Sequence, residues 1–185
     1  FQLAISITPG DIECRTLLAR LAYKNSLHEI AWREVISILN VQPDHIEANW
    51  ILGTLAFERA DYPTVVERLE YVRRAETAQG VRGFSEDNEF AYRLGRSLFE
   101  SGKYKEASRI LPRAAKVSRD ALFYTGRCHS CTRHFESAAR IFQQTLTTFG
   151  EDPEARFYLS ASLGNLGKGY AQALRMVAPL EKNRD

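Results

Sequence analysis

Apolar residues in this chain fall three or four apart, in paired runs separated by a short turn, the spacing that gathers them on one face of a helix. The clearest pair is NEFAYRLGRSLFESGKYKEASRILPRAAKV, where Leu94-Gly95, Leu98 and Phe99 precede Gly102 and Tyr104, Ala107, Leu111 and Ala114 follow it. This pattern predicts a helical hairpin. It also recurs: Leu18, Ala19, Ala22, Tyr23, Ala31, Val35 and Pro43 are followed 34 residues later by Leu52, Gly53, Ala56, Phe57, Val65, Leu69 and Thr77. A fourth copy carries Gly126, Phe135, Ala138, Phe142 and Thr145, and a fifth carries Leu159, Leu163, Gly167, Ala173 and Val177.

Repetition at this period predicts hairpins that cannot cover their own apolar faces and bury them by stacking on their neighbours. The copies span residues 11–44, 45–79, 88–118, 119–152 and 153–185, with an insert at about 77–87. Phe1, Ala4 and Pro9 have the spacing of the closing half of a preceding copy, so residues 1–10 are expected to end one. A second helix over 170–182 is expected to close the fifth, and the chain then reads as a segment of a longer protein whose uncapped ends can pair between molecules. Small residues on the first helices (Ala19, Gly53, Gly95, Gly126) stand where the second helices, through Ala31, Val65, Ala107 and Ala138, must come close. Glu13, Glu47, Glu89, Asp120 and Glu154 open the first helices, where a negative charge favours the positive end of the helix dipole.

The small, aromatic and turn residues quoted above resemble the tetratricopeptide repeat (TPR) family over nearly the whole chain. The resemblance implies an all-α fold, a right-handed superhelical solenoid of about five antiparallel helix pairs. It also implies a concave groove lined by the first helices, in which a scaffold binds a partner peptide or domain. Placed on that geometry, one column of groove residues reads Thr16, Trp50, Tyr92, Phe123, Phe157, and the next reads Arg20, Thr54, Arg96, Arg127, Ala161. A third reads Tyr23, Phe57, Phe99, Ser130, Gly164. Exposed rings and arginines are the pairing enriched in binding hot spots, and Arg96 and Arg127 would meet acidic or carboxylate groups; the plainer alternative is that many of these rings are core. Family members that grip a chaperone's terminal carboxylate use lysines, asparagines and an arginine in successive first helices. The corresponding positions here are Thr16, Arg20, Ile51, Glu89 and Arg93, which speaks against that role.

Three other clusters stand out along the chain. In RCHSCTRH, Cys128, Cys131 and His134 lie three apart with His129 beside them, a weak zinc candidate that lacks the second ligand pair of a finger. Cysteines filling small helix-packing positions are the better reading. Gly164, Gly167, Lys168 and Gly169 mimic a phosphate loop, yet the lysine is followed by glycine rather than Ser or Thr and no strand precedes it. The insert ETAQGVRGFSEDN either touches a partner from one rim or extends the second helix to near Gly80 with Phe84 tucked back. Arg73, Arg74, Arg109, Arg113 and Lys116 recur on second helices among Glu67, Glu70 and Glu76, the composition of a solvated face.

Composition then narrows the function classes. Of 185 residues 44% are hydrophobic and 26% charged, as in a folded domain, and the net charge of +2 offers no bulk field for nucleic acid or an anionic surface. No apolar run approaches the roughly 20 residues of a membrane span. Three cysteines favour a reducing compartment such as the cytoplasm over a disulfide framework. No catalytic signature or cofactor motif stands out, so the chain reads as a non-enzymatic binding module whose partner is another protein or peptide. Two alternatives remain: a substrate-positioning segment of a larger enzyme, and an RNA-binding repeat using Trp50, Tyr92, Arg96 and Arg127.

Overall fold

The computed structural model describes residues 11–167. The half-repeat expected over 1–10 and the closing helix expected over 170–182 lie outside the described residues. Within them the chain is all-α: α1 (Ile12–Lys24), α2 (His28–Val41), α3 (Ile46–Glu58), α4 (Tyr62–Gln79), α5 (Asn88–Glu100), α6 (Tyr104–Ile110), α7 (Arg119–Cys131), α8 (Phe135–Phe149) and α9 (Pro153–Asn165). Helices pack as consecutive pairs, α1 with α2, α3 with α4 and α7 with α8; α1 also touches α3, and α7 touches α9. Two compact units result, one up to residue 97 and one from residue 98.

The turn inside each hairpin is built the same way four times. Ser26, Ala60, Gly102 and Arg133 have φ of 58°, 56°, 75° and 62°. The residue after each donates its N–H five residues back, Leu27 to Ala22 (2.8 Å), Asp61 to Ala56 (3.0 Å), Lys103 to Leu98 (2.9 Å) and His134 to His129 (2.8 Å). This left-handed closure satisfies carbonyls that the helix end would otherwise orphan. Only Gly102 adopts it freely. A residue with a Cβ is disfavoured there by roughly 1–2 kcal/mol, so Ser26, Ala60 and Arg133 are held in place by the helices they join.

First helices are stopped at their start by side chains. Asp11 accepts from Cys14 N (3.0 Å), His45 Nδ1 from Ala48 N (3.2 Å), Ser118 from Ala121 N (3.2 Å), and Asp152 from Glu154 N and Ala155 N (3.0 and 3.1 Å). Hydrogen bonds from the Cys14 amide and thiol hold the Asp11 carboxyl below its ordinary range. Among the described second helices only α4 has such a cap, Thr64 N donating to Asp61 (3.3 Å). Helix α6 is shorter than the periodicity suggests: Pro112 has no N–H to donate back along the helix, and the chain continues as a 3-10 turn over Leu111–Arg113.

The two cores differ in chemistry. In the unit up to residue 97 the interior is small and aliphatic, with Ala19, Ala22, Ala31, Val35, Ile38 and Ile51 buried. From residue 98 the core is built around Phe123 and Phe142 with Ala138, Ala155 and Leu159. The small first-helix residues set the approach in both. A Cβ at Gly53 would sit 2.8 Å from Leu69 Cδ2, and one at Gly126 would sit 2.7 Å from the Phe142 ring. Both neighbours are fully buried or nearly so, which is why the helices need glycine there.

Candidate functional site

In the unit up to residue 97, Trp50 is half-buried on α3 and makes two ring contacts. Tyr23 meets it edge-on at 5.5 Å, and Phe84 from the insert stacks on it at 4.5 Å with the planes 14° apart. Phe57, also half-buried, meets Tyr92 edge-on at 5.9 Å and Tyr62 at 6.3 Å. Thr54 is completely buried, and its hydroxyl donates to the Trp50 carbonyl (2.8 Å). Arg20 grips both oxygens of Glu47 (2.5 and 2.6 Å), a forked pair that raises its own pKa. Together with Ile12, Thr16, Leu17 and His45 that pair lines a cavity of about 490 Å³. Arg96, on α5, is half-buried.

Phe84 reaches Trp50 because of Glu76. That residue lies near the end of α4 and is buried; one carboxylate oxygen accepts from Phe84 N (2.7 Å) and the other from Ser85 N (3.0 Å). Hydrogen bonds to a charged acceptor contribute about 1.5–3 kcal/mol each, and a stacked ring pair adds about 0.5–1.5 kcal/mol beyond its area. Gly80 ends α4 in the left-handed conformation, and a 3-10 turn over Phe84–Glu86 follows.

From residue 98 onward the rings are used differently. Phe123 is 1% exposed, enclosed by Tyr124 (5.5 Å), Tyr158 (5.6 Å) and Phe142 (5.7 Å). Phe99 is 7% exposed and packs on Tyr124 (5.1 Å) and Tyr104 (5.3 Å). Arg127 lies over this assembly, its guanidinium carbon 4.4 Å from the Tyr158 centroid, 5.2 Å from Phe99 and 5.9 Å from Phe123. Among the described residues no carboxylate pairs with it. Phe157, in the same column as Phe123, is 51% exposed.

The nine residues assigned from sequence to the partner face therefore divide. Trp50, Phe57, Tyr92, Arg96, Arg127 and Phe157 keep accessible surface, whereas Thr54, Phe99 and Phe123 are buried and serve packing. Tyr158, the platform under Arg127, was missed by the columns. It stands 34 residues after Tyr124, one place beyond the Phe123 and Phe157 column, and the same period would have found it.

The cysteine and histidine cluster does not converge. Cys128 is buried, and that burial pushes its thiol up to about 12, while Cys131 is exposed. The His134 ring pairs with the Thr132 hydroxyl (2.9 Å), and its centroid is 6.2 Å from that of His129. Burial, then the nearby His134 and Arg140, hold His129 below its ordinary pKa. Among the described residues no group of three His, Cys, Asp or Glu side chains is placed to hold a metal ion, and no helix is long and apolar enough to cross a membrane.

No family model matches this chain, and no curated protein does either. Solved structures do. YrrB, a TPR protein with an unusual peptide-binding site, matches with a TM-score of 0.77 and 19% identity, over 96% of this chain and 88% of its own. MamA from Desulfovibrio magneticus RS-1 matches with a TM-score of 0.68 and 17% identity, over 95% and 98%. TPR-like repeats of a kinesin light chain from Podosopora anserina match with a TM-score of 0.60 and 16% identity, over 94% of each chain. With helix pairs repeated in sequence and superposing over almost its full length, the chain has the fold of the tetratricopeptide-repeat proteins.

Proposed function

We propose that this chain is a protein-interaction scaffold whose first helices hold an acidic stretch of a partner peptide or domain, with Arg127 as the principal cationic contact. The observation that carries the reading is the state of that guanidinium. It is stacked on Tyr158 and bordered by Phe99 and Phe123, with no carboxylate of the described residues against it. An arginine ordered by ring stacking loses little further freedom when it grips a carboxylate with two parallel hydrogen bonds. Cation–ring contacts of this kind contribute about 0.5–2 kcal/mol to holding the fork ready. Exposed Phe157 offers apolar contact area on α9. YrrB, whose fold this chain shares, has a peptide-binding site, and that supports peptide recognition as the class of activity.

The test is a peptide array in which one position is fixed as Asp or Glu, probed with the parent chain and with Arg127→Gln checked for unchanged helix content. Acidic peptides retained by the parent and lost by the variant are expected. Retention of the same peptides by both would overturn the assignment of Arg127.

A further inference from the structure

The insert places the chain's own Phe84 flat on Trp50, 4.5 Å between centroids and 14° between planes. Trp50 belongs to the first-helix column that a partner would meet, so the structure holds a ring stacked where recognition is expected. The segment carrying it is largely exposed. Gly80, Val81, Arg82 and Gly83 are exposed before it, and Glu86, Asp87 and Asn88 after it. Only Phe84 and Ser85 are half-buried, and both of their amides end on the single carboxylate of Glu76.

The geometry points to the Trp50 ring face as a recognition subsite for an aromatic side chain of the partner, with residues 80–87 acting as a built-in competitor that fills it with Phe84. This rests on the scaffold reading above and names the residue type that one subsite takes. The occupant itself indicates the chemistry: a flat ring meets a flat ring, while Tyr23 crosses the indole at 78° with centroids 5.5 Å apart. A partner ring would replace the stack that Phe84 gives up, so the exchange preserves the ring contact while giving up the two Glu76 hydrogen bonds. Apparent affinity is lowered by the fraction of molecules in which the face is already filled.

Two substitutions open the face by different routes. Phe84→Ala removes the ring. Gly83→Ala keeps it but sets a Cβ 2.5 Å from Glu76 Oε1, so the carboxylate must swing away from the amides it holds. The experiment titrates each 15N-labelled full chain with N-acetylphenylalanine amide and follows the indole N–H of Trp50, with Trp32 as internal reference. Phe84→Ala is expected to bind the probe at least about tenfold more tightly than the parent, as when the filled state outweighs the open one by that factor. Gly83→Ala should gain in the same direction and lose amide-exchange protection at residues 84 and 85, and N-acetylalanine amide should move neither indole. Equal half-saturation in parent and variants overturns the inference, as does a response to the alanine probe equal to that of the ring. Should Phe84→Ala lose helix content, Gly83→Ala decides alone by the same gain or its absence. Because the probe needs no partner, a gain at Trp50 with a failed Arg127 array would refute the acidic-partner reading and leave the subsite, and the reverse pair of results would remove the subsite only.

Discussion

Apart from Phe90, which is buried, the unit up to residue 97 keeps its rings at the margin, whereas the unit from residue 98 places Phe99, Phe123 and Phe142 in the core. In the first, Ala19, Ala31, Ala48, Val35 and Ile38 fill the space between helices, which leaves Trp50, Tyr23 and Phe57 half-buried around that interior. In the second, Phe123 and Phe142 fill it, and Tyr124 and Tyr158 pack around them with Arg127 laid on top. A column that recurs by sequence period thus leaves Trp50 and Tyr92 half-buried in the first unit, while in the second it buries Phe123 and leaves Phe157 exposed. What occupies the interior decides what remains for the surface.

The sharpest way to break this comparison is truncation within the one column. Phe123→Ala is expected to cost about 3–5 kcal/mol in denaturant unfolding, as for a fully buried ring, while Phe157→Ala should stay within about 0.5 kcal/mol of the parent. Similar losses at the two positions would erase the distinction between core and surface in that column.

A second test compares the helix starts. Asp152 caps α9 through two amides and also pairs with Arg119, which lies over the Phe123 ring at 4.6 Å. The Arg119 guanidinium, partly desolvated, is held protonated by Asp120, Asp152 and Glu154. Asp152→Ala should cost about 2 kcal/mol, the upper end for a lost cap, and His45→Ala, which removes the single-amide cap of α3, should cost less. The reverse order in thermal or urea unfolding would show that the first unit depends more on its caps.

Smaller still is the effect expected at the hairpin turns. Ala60→Gly relieves a Cβ at φ 56° and should stabilise the first unit by about 1 kcal/mol. Gly102→Ala, at φ 75°, should destabilise by a similar amount. A loss on Ala60→Gly would mean that the turn in the first unit is held by something other than its backbone closure.

The smallest effect is confined to the second unit and to acid. His129 is held below its ordinary value by burial, so the unfolded chain binds its proton first as pH falls. Stability from this group is complete above about 6.5, the unfolded value, and declines as pH drops below it toward the folded value. His129→Gln should flatten that decline in urea midpoints taken between pH 7.5 and 5; an unchanged slope would assign the decline to other groups.

Read from the sequence alone, the helical pairs, the turn at Gly102 and the acidic first turns were legible, because each depends on residues close together along one helix or its turn. The glycines at 53 and 126 were legible for the same reason, since the period showed small residues recurring where helices must meet. The exposure of Trp50, Phe123 and Phe157 was not, although one column contains all three. A helix ending near Gly80 with Phe84 tucked back was one of two readings the insert allowed, but its landing on Trp50, 34 residues earlier and held through Glu76, was not legible. Periodicity determined which face each side chain occupies and hence the fold of the chain. Only tertiary packing decided whether that face was filled by a neighbour's ring, covered by the insert or left to solvent, because burial depends on the volume of side chains brought together from separate helices and not on the register within one.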